Sequence, residues 1–298
     1  MIVRAVGIVG AGTMGQGIAI ACASAGLDVL VSERSPQSAQ ASMAEIVHGL
    51  DRDIAKWRRT ESEKRAILAR IRTVDSFGAL EAAQLVVEAV PDDLELKIGI
   101  FQELDLVCPP EDILATNTSA LSVSEIASRT KRPDRILGLH FLTPVPVVPL
   151  VEVVRGLSTS DQTLHDALEF VRLLGKTGIE VFEYPGYVTT RVILPFINEA
   201  MYVVLEGVAT AEAVDTSMRL GYGMPMGPLA LADRMGLDEV MRWTQHLFDE
   251  LGDLKYRPCP LLRKMVRAGR LGVKAGIGFF AYDDEGRVKA APPSSPGR

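Results

Sequence analysis

The feature that most constrains the fold lies near the start of the chain, where an apolar run at residues 3–9 leads directly into GAGTMG at residues 10–15. An alanine-rich segment follows as far as Gly26, and a second apolar run occupies residues 28–32. This order predicts a strand, a tight glycine turn, a helix and a second parallel strand, which together form a dinucleotide-binding unit. The helix start would offer free N–H groups to a pyrophosphate. We therefore predict an α/β fold with a Rossmann-type, doubly wound, mostly parallel sheet.

Glu33 directly follows the second predicted strand, about 20 residues beyond the glycine turn, as expected of the acidic residue in this motif. Its carboxylate would accept hydrogen bonds from the adenosine ribose and repel a 2′-phosphate, so NAD is the predicted cofactor. Arg34 comes next and keeps NADP open as an alternative, and a glycine turn without function is the other. The turn residues predicted to contact the cofactor are Gly10, Gly12, Thr13, Met14 and Gly15.

The chain of 298 residues is long enough for two domains, and its patterns change in kind near Pro185-Gly186. We predict a cofactor domain at residues 1–184, a helical domain at 185–282 and a disordered tail at 283–298. The helical domain is expected to contain helices at 190–205, 211–220, 228–235, 238–251 and 260–268. Helices this apolar in a small domain commonly pack against a second subunit, so a homodimer is predicted.

Residues 35–72 form a charged, helix-like insertion within the first domain. Lys56, with Arg58 and Arg59, is a candidate contact for a phosphorylated substrate tail, and a solvated helical hairpin is the alternative. Further on, the polar run at residues 116–119 follows a short apolar strand. Ligands of such sheets bind at the carboxyl ends of the strands, so Asn117 and Ser119 are expected to face the cofactor or substrate.

Composition excludes several classes of function. The net charge of −6 argues against nucleic acid as the main partner. The longest apolar stretch, at residues 136–154, contains three prolines and two ionisable residues, which argues against a membrane helix. Three widely spaced cysteines support neither a metal site nor a disulfide framework, and a reducing cytoplasm is the predicted compartment.

His140 is the candidate catalytic base because it follows an apolar strand at the ligand-binding edge and a carboxylate, Glu152, returns nearby after a proline-rich turn. A carboxylate at one ring nitrogen would fix the tautomer and raise the basicity of the other. That is what a proton acceptor needs while a hydride leaves the same carbinol carbon. A satisfied structural histidine is the alternative.

The chain resembles the short-chain L-3-hydroxyacyl-CoA dehydrogenases, and within them the bacterial 3-hydroxybutyryl-CoA dehydrogenases. The matching stretches span nearly the whole sequence. They are GAGTMGQGIA (10–19), LVVEAVPDDLELK (85–97), ATNTSALS (115–122), GLHFLTPVPVVPLVEVVRG (138–156), PGYVTTRVILPFINEA (185–200), GYGMPMGPLALAD (221–233) and KYRPCPLLRKMV (255–266).

The resemblance implies oxidation of the 3-hydroxyl of a coenzyme A thioester to a ketone with NAD. It places His140 as the general base, Glu152 as its orienting partner and Ser119 as a hydroxyl in contact with the substrate. It also places cofactor contacts at Glu33, Asp92, Lys97 and Lys274, although the family usually has Glu where this chain has Asp92. A cofactor domain and a dimerising helical domain are implied as well.

Two departures from the family pattern concern asparagines. The motif H-F-F-N-P has Thr143 in place of Asn, and P-G-F-x-x-N-R has Thr190. A threonine offers one hydroxyl where an amide reaches further and offers more donors, so both substitutions predict an altered substrate preference near the catalytic pair. An acyl-carrier-protein thioester or a free hydroxy acid is the alternative substrate. A non-catalytic NAD-binding protein is the alternative from another class.

Overall fold

The strands of the first part of the chain form one eight-stranded sheet within residues 1–119 and 121–289, which are those described by the structure, a computed structural model. The strands are β1 (Ala5–Val9), β2 (Asp28–Ser32), β3 (Ile71–Val74), β4 (Leu85–Glu88), β5 (Ile113–Thr116), β6 (Ile136–Phe141), β7 (Leu150–Arg155) and β8 (Thr177–Phe182). Their order is β3-β2-β1-β4-β5-β6-β7-β8. Only the β6/β7 pair among these neighbours is antiparallel. The predicted mostly parallel, doubly wound sheet is confirmed.

Six α-helices connect these strands within the described residues. They are α1 (Thr13–Ser24), α2 (Pro36–Ala55), α3 (Glu61–Leu68), α4 (Leu94–Val107), α5 (Val123–Ala127) and α6 (Asp161–Leu173). The helical insertion predicted at residues 35–72 consists of α2 and α3, each with a side-chain cap at its start. Ser35 accepts from the Ser38 amide, and Thr60 forms a capping box with Glu63. The prediction extended too far at its end, because β3 already begins at Ile71.

The carboxyl ends of the parallel strands gather at one edge of the sheet, and that edge carries the candidate site. The strands there are almost entirely buried, as expected for a sheet covered by helices on both faces. Val9 pairs in register with Glu88 across β1 and β4, and Glu88 with Thr116 across β4 and β5. The residues that follow these strand ends are therefore brought side by side.

The second part of the chain is helical, as predicted. Its helices are α7 (Thr189–Leu205), α8 (Ala211–Tyr222), α9 (Pro228–Met235), α10 (Leu237–Leu251) and α11 (Pro260–Arg267), each within two residues of the predicted bounds. Their apolar faces share one core, and two buried aspartates on these helices accept hydrogen bonds from neighbouring segments. Asp215 accepts from the Leu229 and Ala230 amides, and Asp233 accepts from the Tyr282 hydroxyl. Burial raises the pKa of both aspartates.

The chain divides into two compact units, of which the first is Met1–Tyr187 and the second begins at Val188. The boundary predicted after residue 184 lies three residues earlier. The tail was predicted to be disordered from residue 283, but its first residues are ordered. Val288 pairs with Tyr282, and the Asp283 carboxylate accepts from the Arg287 amide. Residues 290–298 lie outside the described residues.

Across residues 1–119 and 121–289, no helix is long and apolar enough to cross a membrane. Over the same ranges, no group of three or more His, Cys, Asp or Glu side chains is arranged to hold a metal ion.

Candidate active site

The glycine turn after β1 has the geometry that a pyrophosphate needs. Gly10 has a φ of +85°, and a Cβ there would lie 2.8 Å from Val90 Cγ1. A Cβ on Gly15 would lie 2.0 Å from the Gly10 carbonyl oxygen, so only glycine lets α1 approach the turn this closely. A Cβ on Gly12, in contrast, would meet no described atom within 4 Å. The Gly12 backbone and the exposed Thr13 at the start of α1 thus face open space, where free N–H groups can meet phosphate.

Glu33 stands at the end of β2, next to this turn. Its Oε1 accepts a hydrogen bond from the Ala11 amide at 2.5 Å. The carboxylate therefore lies beside the glycine turn, and its contact with the cofactor ribose stays a prediction. The Arg34 side chain is directed toward α2, where its Nε lies 3.5 Å from Ser38 Oγ.

A buried ion pair lies beneath the site, and the sequence did not lead us to predict it. Lys97 Nζ on α4 lies 2.7 Å from Glu88 Oε1 and 2.8 Å from Oε2, and both side chains are fully buried. Glu88 also accepts from Thr116 Oγ1 and from the Val90 amide. Burial raises the pKa of Glu88, and these hydrogen bonds oppose the rise. The indication in the sequence was a lone carboxylate at the end of an apolar strand.

Lys97 has little left to offer a cofactor directly. An ammonium has three donors, and Lys97 directs them at the two Glu88 oxygens and the Val90 carbonyl, 3.2 Å away. Asp92 lies at the rim of this cluster, with Oδ1 3.6 Å from Lys97 Nζ and Oδ2 within 3.4 Å of the Ser119 hydroxyl. The cofactor and substrate contacts predicted for Lys97, Asp92 and Ser119 are thus neighbours at one edge of the sheet.

Asn117 connects three strands at this edge. The backbone N–H of Asn117 donates to the Glu88 carbonyl at 2.7 Å, and its side-chain Oδ1 accepts from the Phe141 backbone amide at 3.1 Å. Asn117 therefore fixes the end of β6, the strand that carries His140. Its predicted role in contacting the cofactor stays a prediction.

His140 and Glu152 are opposite each other in the antiparallel register of β6 and β7. His140 Nδ1 lies 2.6 Å from Glu152 Oε2, with the imidazole 7% exposed and the carboxylate fully buried. Each strand thus contributes one half of a hydrogen-bonded pair whose orientation is set by sheet pairing. The other three histidines have no comparable partner among the described residues; His48 and His165 are exposed, and His246 is half-buried with an unpaired Nε2.

Tyr187 is a second residue that sequence reasoning missed. Its ring centroid lies 5.5 Å from that of His140, at an interplanar angle of 58°. The residue is buried and has a φ of +45°, which is unusual for a side chain with a Cβ. The indication in the sequence was its place directly after Pro185-Gly186.

The loop between β6 and β7 brings Thr143 to the start of α1. Thr143 Oγ1 donates to Met14 Sδ at 3.0 Å, and Thr143 is exposed. Lys176 holds the same loop from beneath by donating to the Val145 and Val148 carbonyls at 2.6 and 2.7 Å. Two predicted ligand contacts, Met14 and Thr143, are therefore adjacent.

Three further predicted site residues belong to the helical insertion and to the second unit. Lys56 ends α2 and is exposed, while Arg58 and Arg59 both lie near Asp53 in the same hairpin. In the second unit, Thr190 is buried in the first turn of α7. Lys274 is exposed and paired with Asp238 at 2.6 Å. The ligand contacts predicted for these three residues stay predictions.

The arrangement at the sheet edge can bind an anionic dinucleotide and move one proton. The glycine turn and the start of α1 suit a pyrophosphate, and Glu33 suits a ribose. The Glu152 carboxylate can hold a proton on His140 Nδ1, which leaves Nε2 as the basic nitrogen. An oxidoreductase that interconverts an alcohol and a ketone needs a general base beside a dinucleotide.

Comparison with known proteins gives matches along the chain. Residues 5–184 match the family "3-hydroxyacyl-CoA dehydrogenase, NAD binding domain", and residues 186–282 match "3-hydroxyacyl-CoA dehydrogenase, C-terminal domain". A probable 3-hydroxybutyryl-CoA dehydrogenase of Bacillus subtilis is 47% identical over 285 residues, covering 96% of this chain and 99% of the relative.

Two further relatives extend the comparison. The crystal structure of (S)-3-hydroxybutyryl-CoA dehydrogenase from Ralstonia eutropha superposes with a TM-score of 0.87 at 44% identity, covering 95% of this chain and all of that one. A 3-hydroxyadipyl-CoA dehydrogenase of Escherichia coli is 37% identical over 284 residues, covering 95% of this chain and 60% of the relative.

Proposed function

The chain belongs to the 3-hydroxyacyl-CoA dehydrogenase family, an NAD-dependent group of oxidoreductases, and from that premise we propose that it oxidises a short-chain L-3-hydroxyacyl-CoA such as 3-hydroxybutyryl-CoA. The product is the 3-ketoacyl-CoA, and the reaction is reversible. The observation that carries the proposal is the 2.6 Å contact between His140 Nδ1 and Glu152 Oε2 at the cofactor edge of the sheet.

His140 acts as the general base in this proposal. With its Nδ1 proton held by Glu152, Nε2 accepts the proton of the substrate hydroxyl, and the buried carboxylate stabilises the imidazolium that forms. NAD, when bound along the glycine turn, supplies the acceptor for the hydride of the carbinol carbon. Oxidation requires neutral His140 and reduction requires the protonated form. The two directions should therefore have opposite pH preferences.

The thioester is recognised by two groups of residues. The Ser119 hydroxyl, at the rim of the site, contacts the substrate near the reacting carbon. Lys56, exposed at the end of α2 with Arg58 and Arg59 nearby, binds the phosphates of coenzyme A. In a chain with a net charge of −6, such a local basic group is what an anionic substrate tail needs.

A changed acyl preference is the second candidate function, and Thr143 favours it. Thr143 directs its hydroxyl at Met14 Sδ, and sulfur is a weak acceptor, so this hydroxyl can readily turn to a ligand. Relatives of this chain are named for both hydroxybutyryl and hydroxyadipyl thioesters, so the acyl group varies among proteins of this similarity. Thr190 belongs to the same proposal, as do the carrier-protein thioester and the free hydroxy acid as alternative substrates.

Association through the helical unit is the remaining part of the proposal. Val208, Leu220 and Tyr222, on and beside α8, are exposed apolar side chains of the second unit. They support a homodimer, which light scattering would detect and L220E with Y222E would dissociate.

A cytoplasmic location remains the expectation from the three unpaired, buried cysteines.

The test is oxidation of NADH by a panel of 3-ketoacyl thioesters, with wild type and H140Q in parallel. We expect turnover of acetoacetyl-CoA by wild type, and a loss of about 10²–10⁴-fold in kcat in H140Q with NADH binding retained. No turnover of any thioester would overturn the proposal. Near-normal kcat/KM on acetoacetyl-CoA, with no better substrate in the panel, would reject the changed acyl preference alone.

A further inference from the structure

The inference concerns Tyr187 and how it packs on the His140 ring. The two ring centroids are 5.5 Å apart, within the range of aromatic pairs that contact each other, and the rings are tilted by 58°. Tyr187 is 4% exposed and His140 is 7% exposed, so the two rings pack in a dry environment. Glu152 holds one nitrogen of the imidazole, whereas Tyr187 packs against the ring itself.

The backbone of Tyr187 is held in a conformation that side chains with a Cβ rarely adopt. Its φ is +45°, and the preceding Gly186 has a φ of +78°. The Tyr187 amide donates to the Tyr184 carbonyl at 2.9 Å, which closes the turn. Glycine would adopt this φ without strain, but glycine has no ring to place on His140. Residues kept in such conformations gather at functional sites, and this one packs on the candidate base His140.

The Tyr187 hydroxyl has a backbone acceptor. It lies 3.4 Å from the Leu121 carbonyl, a long hydrogen bond. Burial, together with the carboxylates of Asp92, Glu183 and Glu152, raises the pKa of this phenol well above its usual value. The phenol therefore stays protonated and neutral, which suits a wall of the site and excludes a proton relay through its anion.

We propose that Tyr187 is a positioning residue whose ring holds the His140 imidazole in the plane from which Nε2 reaches the substrate hydroxyl. The inference rests on the proposed function, in which His140 is the general base. The Glu152 contact fixes which nitrogen faces the strand pair, and it leaves the ring free to tilt about that contact. The Tyr187 ring removes this freedom. A base misplaced by about 1 Å can lose about 10²-fold in rate.

The experiment compares Y187M with Y187F. Methionine stays apolar and adapts its shape to fill much of the space, but it has no rigid plane. We expect Y187M to lower kcat by about 10-fold or more, with the KM for acetoacetyl-CoA and the Kd for NADH changed by less than about 3-fold. Phe keeps the plane and loses only the long hydrogen bond, so Y187F should recover most of the activity lost in Y187M.

Phe170, a buried aromatic residue of α6 in the sheet core, provides the matched control. F170M should lower Tm at least as much as Y187M and leave kcat within about 2-fold, since Phe170 takes no part in the site. Nitrogen chemical shifts of labelled histidine give an independent readout: the His140 signals should shift or broaden in Y187M and not in F170M.

The possible results separate the two hypotheses. If Y187M retains wild-type kcat, or if F170M loses as much kcat, the positioning role is wrong. An active H140Q enzyme would overturn the proposed function itself, whatever Y187M does. An inactive H140Q enzyme together with a fully active Y187M enzyme would reject the positioning role alone.

Discussion

Lys97 Nζ lies 2.7 Å from Glu88 Oε1, and neither side chain is exposed to solvent. Glu88 ends β4 in the middle of the sheet, and Lys97 lies in the first turns of α4, so the pair joins the sheet to the helix that follows it. The same carboxylate accepts from Thr116 at the end of β5. The ion pair therefore fixes two strand ends beneath the candidate site.

Removing one partner of this pair should destabilise the protein strongly, because the other charge stays buried without compensation. We expect K97M to lower the free energy of unfolding by about 3–5 kcal/mol, and E88Q with K97M together to cost clearly less than K97M alone. Urea unfolding followed by circular dichroism measures both. As a control, R172A breaks an exposed pair with Glu169 and should cost about 1 kcal/mol or less. Equal losses in the single and double variants would show that unpaired charge is not the cause.

Much of the fold could be predicted because apolar runs and glycine signals mark it clearly. β2 has the predicted bounds, and the helices of the second unit begin and end within two residues of prediction. α6 and β8 were not predicted as elements. β8 lies at the edge of the sheet and only its Val181 is buried, so it lacks the continuous apolar run of the inner strands.

The candidate site was predictable in its residues and less so in its contacts. His140 and Glu152 could be paired as candidates, but the antiparallel register that makes them opposite each other depends on how the intervening loop folds. Lys97 could be placed near the cofactor, whereas its pairing with Glu88 depends on where α4 packs on β4. The sequence marked Tyr187 only by its place after Pro185-Gly186, and the turn around it decides both its φ of +45° and its packing on His140. Contacts of this kind are set by tertiary packing.

Replacing Glu152 with glutamine tests the catalytic pair without removing its shape. The amide keeps a hydrogen bond to His140 Nδ1, but it can bond the wrong tautomer and cannot stabilise an imidazolium. We expect E152Q to lower kcat by about 10²-fold or more while the Kd for NADH stays unchanged. Steady-state kinetics and NADH fluorescence titration measure the two quantities. If kcat stayed within a few-fold of wild type, Glu152 would be a structural partner only.

Replacing Thr143 with asparagine tests the acyl preference. An amide at this position has a longer reach and more donors than the hydroxyl that now contacts Met14. We expect T143N to raise kcat/KM for acetoacetyl-CoA relative to longer or more polar 3-ketoacyl thioesters, by about 10-fold for one well-placed hydrogen bond. T143V is the matched control, since it removes the hydroxyl and adds no amide. An unchanged ranking of substrates in T143N would show that Thr143 does not select the acyl group.

Reversing the charge of Lys56 tests the proposed coenzyme A contact. K56E should raise the KM for acetoacetyl-CoA by about 5-fold or more at low salt, and much less at high salt, since the contact is an exposed charge interaction. K56E should leave the KM for acetoacetyl-pantetheine unchanged, because this thioester lacks the nucleotide phosphates. K131E is the control, because Lys131 is exposed and precedes β6, at the opposite edge of the sheet. Equal effects on both thioesters would contradict the contact.

Asp112 should make the stability of the protein depend on pH. It is buried just before β5, and its Oδ2 has no hydrogen-bond partner among the described residues. Burial, aided by the charge of Glu111, raises the pKa of this carboxyl to about 6. The folded state then binds a proton between about pH 4 and pH 6 that the unfolded state releases, so the free energy of unfolding falls as pH rises through this window.

D112N removes the charge and keeps the shape, so it should stabilise the protein where Asp112 would be ionised. We expect its Tm to exceed that of wild type by about 2–4 °C at pH 8, which corresponds to ~1 kcal/mol in a domain of this size, and by less at about pH 4. E103Q replaces an exposed carboxylate on α4, and its difference in Tm from wild type should be the same at both pH values. If the gain in Tm of D112N were also the same at both pH values, the pKa of Asp112 would not be raised in the folded protein. Its Oδ2 would then accept a hydrogen bond in solution.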